Sequence, residues 1–197
     1  LLEYHFLSFQ ILSLTLLFYN RVLFVLNQIH LSLTTLLMYL IALSLFEERG
    51  FSCKYDQEIF AKGSLEYFST YKEERLRQLV EAIEDPKVKI ISQFRGGYGA
   101  GEIVFDCLKV KPSVPKILIG YSDATVLHFL FNQHYGLPSI HGVVSENHKH
   151  MIGNVVSVLE GKSAEFALEA KNELAQASSN ISGQVTGGNL TLICHMI

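Results

Sequence analysis

Tryptophan is absent from this 197-residue chain, proline occurs four times, and the three cysteines, Cys53, Cys107 and Cys194, stand far apart with no C-x-x-C pair. That scarcity implies neither a disulfide framework nor a zinc knuckle, and it makes a reducing compartment, the cytoplasm, the expected setting. Basic residues are also few. With 16 Lys and Arg against 19 Asp and Glu the net charge is −3, which argues against a nucleic-acid partner, since such proteins carry a basic patch or stripe. No G-x-x-x-x-G-K-[ST] run exists, so the chain has no P-loop. Apolar residues, in contrast, make up 49% of the chain, too many for general disorder. The length suits one large domain, or one domain and the beginning of another.

Charge is missing above all from the first 46 residues, where only Glu3 and Arg21 carry any. Residues 22–46 are long enough to cross a bilayer, but Asn27, Gln28 and His30 would then sit inside the span, where polar groups are costly. A signal peptide fits poorly, because no basic stretch precedes the run and no small-residue cleavage site ends it. The preferred reading is a buried strand over residues 22–26, at or near the edge of a parallel sheet. A helix capped by Ser32 or Thr34 would then run to Arg49 and stop at Gly50. Membrane contact through residues 1–46 stays open as the alternative. Residues 1–20 are expected to touch the body little, and their status is unclear. The chain begins with Leu and stops at Ile197 inside an apolar run, so both ends read as ends of a fragment.

The body alternates. Strands are expected over residues 51–55, 88–92 and 116–119. Helices are expected over 72–84, from the glycine-rich turn through Cys107, over 123–133 and over 151–175. Asp85-Pro86 ends the first of these helices, because proline disfavours helical geometry in the residue before it. Such alternation predicts βαβ units, that is, an α/β fold with a parallel sheet covered by helices. A Ser, Asn and Gly-rich stretch, residues 178–188, marks a domain boundary.

Ligands of a parallel α/β sheet bind beyond the carboxyl ends of its strands, and two unusual loops sit there. Gly120-Tyr121-Ser122-Asp123-Ala124 has a small residue two before and two after a serine, as a sharp strand-to-helix turn bearing an exposed nucleophile requires. The bland alternative is that Ser122 or Asp123 caps the following helix. Arg95-Gly96-Gly97-Tyr98-Gly99 is a turn whose backbone amides can approach an anion, whether a phosphate or an oxyanion. It reads equally as a loop that needs glycine for packing only. As a dinucleotide fingerprint it fails, because Glu102 stands where the last glycine belongs. His141, Glu146, His148 and His150 follow no metal-ligand spacing and read as a solvated loop. His128, six residues on from Ser122, points away from that hydroxyl.

Four motifs in order, residues 95–100, residues 115–128, His141-Gly142 and Gly187-Gly188-Asn189-Leu190, resemble the serine LD-carboxypeptidase family, which includes the muropeptide LD-carboxypeptidases and the microcin-C self-immunity peptidases. The stretch from Glu74-Arg75 through Asp85-Pro86 is also similar, and the resemblance runs from about Arg21 to the end of the chain. It implies a Rossmann-like nucleophile domain over residues 21–177, with helices on both faces of its sheet. Residues 178–197 would be a linker and the first strand of a small β-rich C-terminal domain. It implies Ser122 as nucleophile, with the backbone amides of Asp123 and of the Gly96-Gly97 turn, Gly97 in particular, as oxyanion hole. Arg95, Tyr98 and Tyr121 would contact substrate. The substrate would be a short peptide or muropeptide with an L-to-D linkage, met in peptidoglycan recycling, with no metal or cofactor. A homodimer is left open.

The chain departs from the family pattern at Asn27-Gln28-Ile29, where a Pro-Ser turn belongs, and at Val143, where proline belongs. The family's catalytic Glu and His lie beyond Leu190, and neither is assignable here, so the chain alone is expected to be inactive. Two other functions remain: an inactive remnant that binds muropeptides, and a membrane-anchored nucleotide-binding protein.

Overall fold

A computed structural model describes residues 21–25, 33–55, 70–144, 149–162, 169–177 and 183–196. Five strands, β1 (Arg21–Val25), β2 (Ser52–Tyr55), β3 (Ile90–Gln93), β4 (Ile117–Gly120) and β5 (Ser139–His141), form one sheet in the order β2-β1-β3-β4-β5. Every pairing is parallel. Parallel neighbours need crossover connections, and helices supply them: α1 (Leu33–Glu47), α2 (Lys72–Glu84), α3 (Ala100–Cys107) and α4 (Thr125–Phe129). Three more follow, α5 (Lys149–Leu159), α6 (Glu173–Ala177) and α7 (Leu190–Met196). The fold is α/β, with helices on both faces of a doubly wound sheet.

Alternation along β3 and β4 divides the core in two. Ile90, Ile117 and Ile119 face α1 and α5, where Tyr39, Leu43, Phe46, Ile152 and Val156 are buried. Ile91 and Leu118 face α2, α3 and α4, packing with Leu79, Ile83, Ile103, Leu127 and Phe131. Both strands are buried throughout: β4 reads as an apolar run, and β3 ends in buried Ser92 and Gln93.

The uncharged run over residues 22–46 is thus split between a near-edge strand and a helix. Among the described residues no helix is long and apolar enough to cross a membrane. Gly50, at φ +84°, closes α1. Its amide donates to the Glu47 carbonyl and the Phe51 amide donates to Phe46, a paired cap that a left-handed residue permits. α2 ends at Asp85, which is extended (φ −67°, ψ 113°) ahead of Pro86. Below it, buried Lys116 donates from Nζ to the carbonyls of Asp85 (2.7 Å) and Val88 (2.6 Å), pinning the end of α2 to the start of β4.

Three expectations need correction. The strand expected over 88–92 runs instead from Ile90 to Gln93: the Val88 carbonyl is taken by Lys116 Nζ, and the ladder to β4 opens with the Ile117 amide on the Lys89 carbonyl. The helix expected over 151–175 stops at Leu159. Gly161 (φ +82°) donates to the Val158 carbonyl and Lys162 to Ser157, the same left-handed cap as at Gly50, and α6 is a separate turn. Finally, the end of the chain is helical where a first strand is expected. Asn189 Oδ1 accepts from the Leu192 amide (3.3 Å) and opens α7, and Leu192 packs onto the face of α2, α3 and α4. Residues 1–20, the departure at 27–29, Ser32, Glu146 and His148 lie outside the described residues.

Candidate active site

Ser122 stands just past β4, an interior strand, at the head of a helical run. A 3-10 turn (Ser122–Ala124) leads into α4, which widens into a π turn over Leu130–His134. Its φ of +55° is the one positive value at a non-glycine position among the described residues. A serine held left-handed is strained by roughly 1 kcal/mol or more, so the surrounding packing must enforce it. Gly120 and Ala124 do so: a β-carbon on Gly120 would lie 2.6 Å from Ala124 Cβ and 3.2 Å from Gln93 Cβ. Small residues flank the serine because strand and helix nearly touch there.

The glycine turn after β3 lies against this elbow. A β-carbon on Gly96 would stand 2.8 Å from Ser122 Cβ, 3.4 Å from its Oγ and 3.2 Å from the Tyr121 ring. Gly97 (φ +152°) and Gly99 (φ +124°) take backbone conformations that favour glycine. The packing requirement is therefore real, and it is packing against the candidate nucleophile itself. Gly96, Tyr121, Ser122 and Asp123 come together, whereas Arg95, Gly97 and Tyr98 are exposed on the same loop.

The reading of Ser122 or Asp123 as the cap of the following helix does not hold. No side chain caps the 3-10 turn or α4. Buried Asp123 caps α3 instead, accepting from the Ala100 amide at 2.9 Å across 23 residues. Elbow and glycine loop are thereby joined. Thr125, which the sequence did not single out, ties a third motif to them. Its Oγ1 donates to the Ser122 carbonyl (2.6 Å) and accepts from the Asn189 amide (2.8 Å). A β-carbon on Gly188 would lie 2.4 Å from that same oxygen. The one sequence signal for Thr125 was its place in the 115–128 motif.

No base reaches Ser122 Oγ by a hydrogen bond among the described residues. His128 is buried, and its Nε2 meets the Gly120 carbonyl at 3.1 Å. A carbonyl only accepts, so Nε2 carries the proton. Burial pulls the His128 pKa down to about 4, with the Gly120 hydrogen bond opposing and the His141 charge adding to the fall. It is a neutral clamp on the end of β4. His141, at the end of β5 with its ring 5.3 Å from that of His128, is also lowered by partial burial. Burial pushes the thiols of Cys53 and Cys107 up to about 12, so neither is a nucleophile at neutral pH. Among the described residues no group of three His, Cys, Asp or Glu could hold a metal ion.

With that geometry in place, comparison with known proteins is informative. A family model described as the LD-carboxypeptidase N-terminal domain matches residues 37–142. A Rickettsia conorii protein named as a carboxypeptidase is 33% identical over 154 residues, 73% of this chain and 49% of that protein. The murein tetrapeptide carboxypeptidase of Pseudomonas aeruginosa is 30% identical over 146 residues, 66% of this chain and 46% of that one. The chain thus spans about half the length of the curated relatives it matches. Among solved structures, an MccF-like protein from Bacillus anthracis superposes with a TM-score of 0.57 at 22% identity, covering 71% of this chain and 44% of that one, a likeness of fold.

Proposed function

The chain belongs to the LD-carboxypeptidase family, and on that premise we propose that it supplies the nucleophile half of a serine peptidase. Its reaction would remove the terminal D-amino acid from L,D-linked muropeptide tetrapeptides. The observation that carries the reading is the left-handed Ser122, packed between Gly120 and Ala124 with Gly96 against its side chain. The murein tetrapeptide carboxypeptidase among its relatives supports the substrate class.

In this reading Ser122 Oγ attacks the carbonyl carbon of the L,D peptide bond as a base takes its proton. The carbonyl oxygen becomes an oxyanion facing the amides of Asp123 and Gly97, whose fixed dipoles need no reorganisation. The C–N bond then breaks, the D-amino acid leaves with the proton, and water hydrolyses the resulting ester. Arg95, Tyr98 and Tyr121 line the approach. The family resemblance assigns the base and its orienting acid to a His and a Glu beyond the Gly187–Leu190 motif.

A fluorophosphonate probe tests the nucleophile in protein extended to include the His and Glu that the family resemblance assigns, because an unassisted serine hydroxyl is a weak nucleophile. Mass spectrometry should find one adduct, on Ser122, and none in Ser122→Ala. A folded chain that stays unlabelled, yet binds muropeptide, would instead be a binding module. Release of D-alanine by the 197-residue chain alone, above its Ser122→Ala control, would locate a base within these residues, with His141 the first to substitute.

A further inference from the structure

Resting on that reading, we infer that Arg75 is the positioning residue of the oxyanion turn. It projects from α2, an element with no part in the chemistry, and is 1% exposed. Its Nη1 donates to the Gly99 carbonyl at 2.8 Å, and its Nη2 pairs with the Glu102 carboxylate in the first turn of α3. A buried guanidinium must find acceptors. Here one of them is the left-handed glycine that ends the turn.

Two further bonds complete the bracing. Gln93 Nε2 donates to the Arg95 carbonyl at 3.0 Å, where the chain enters the turn. Asp123 accepts from the Ala100 amide, where it leaves. The carbonyls of Arg95 and Gly99 are therefore both held by buried side chains. Gly96 and Gly97 lie between these anchors, their orientation set from below. Arginine suits the position because its planar fork serves two acceptors at once, and a lysine ammonium lacks that geometry. Asp123 ties the end of the turn to the elbow, whereas Arg75 ties it to α2.

The test uses protein extended to include the His and Glu that the family resemblance assigns, and its Arg75→Lys and Arg75→Met variants. Two readouts separate positioning from simple support of the fold. The first is the NOE between Gly96 Hα and Ser122 Hβ, which close packing makes strong in the parent. The second is fluorophosphonate labelling of Ser122, split into kinact and KI. Displacing catalytic groups by about 1 Å lowers rates by up to ~100-fold. The expected result is loss of the NOE with sheet NOEs intact, and a kinact lowered roughly 10- to 100-fold at unchanged KI. Glu102→Gln removes the charge from one acceptor of the clamp, leaving an amide oxygen, at a partly exposed position. It should move both readouts in the same direction by less, and it decides the matter if the Arg75 variants do not fold. A folded variant that keeps the NOE and the parental kinact overturns the inference and leaves the nucleophile standing. A parent that shows the NOE but never labels, with the NOE lost in Arg75→Lys, upholds the positioning and sinks the nucleophile.

Discussion

The two faces of the sheet are built by different rules. On the side of α1 and α5 the buried surface is aliphatic and aromatic. Tyr39 stacks edge-on against Phe94 at 4.9 Å, and Phe46 meets Phe51 at 5.8 Å. On the side of α2, α3 and α4 an equally apolar centre is ringed by buried Arg75, Gln93, Asp123, Thr125 and His128. Each of these five bonds to backbone of the glycine loop or of the elbow. A buried polar group destabilises unless it is bonded, so such groups persist where the bond fixes something burial cannot. One face supplies stability, and the other converts part of it into loop geometry.

The sharpest way to break this contrast is to damage each face and compare stability with reactivity. Phe46→Ala removes a fully buried ring from the α1 face. It should lower unfolding free energy by about 3–5 kcal/mol, seen as a lower urea midpoint, while the molecules still folded label at Ser122 as fast as the parent. Comparable slowing of labelling would show that the faces are not separate in function.

Gly120→Ala strikes the other face. The added methyl would sit 2.6 Å from Ala124 Cβ, so either the elbow or the strand end must shift. Overpacking of this kind costs roughly 1–3 kcal/mol, less than the loss of a ring. Labelling should nevertheless fall well below that of Phe46→Ala measured on folded protein. Equal labelling in the two variants would mean that the elbow tolerates displacement, and the strained serine would lose its significance.

What the sequence made legible follows the same division. The strand and helix order could be read from apolar runs, and the ends of α1 and α2 from Gly50 and from Asp85-Pro86, because these signals are local. The elbow was legible because crowding at 120 and 124 is a contact between close neighbours in sequence. Arg75, Gln93 and Thr125 were not assigned positioning roles. Arg75 and Gly99 are 24 residues apart, and Thr125 and Asn189 are 64, so no local pattern reports those pairs. Gly161 and Asn189 are a different failure. Each carried a helix-boundary signal, and the apolar content around it outweighed that signal.

The smallest effect, and the most discriminating between the faces, is a pH dependence. His128 has a folded pKa of about 4 against an ordinary value of 6.5. Between those values the unfolded chain binds more protons than the native one, so stability rises with pH across the window. The neutral clamp is fully present above about pH 6.5, is lost progressively below it, and the loss levels off under about pH 4. From pH 7 to pH 5.5 this amounts to about 1 kcal/mol, read as a fall in urea midpoint. His141 is shifted in the same direction, so His141→Gln measures its share. The Glu160 carboxyl, held low chiefly by hydrogen bonds from Lys162 and Arg49 on the other side, responds only below its ordinary value of 4.5, outside the window. His128→Gln should flatten most of the slope, and Phe46→Ala should keep it in full. If His128→Gln instead left the slope unchanged, the proton on Nε2 would not be what secures the end of β4.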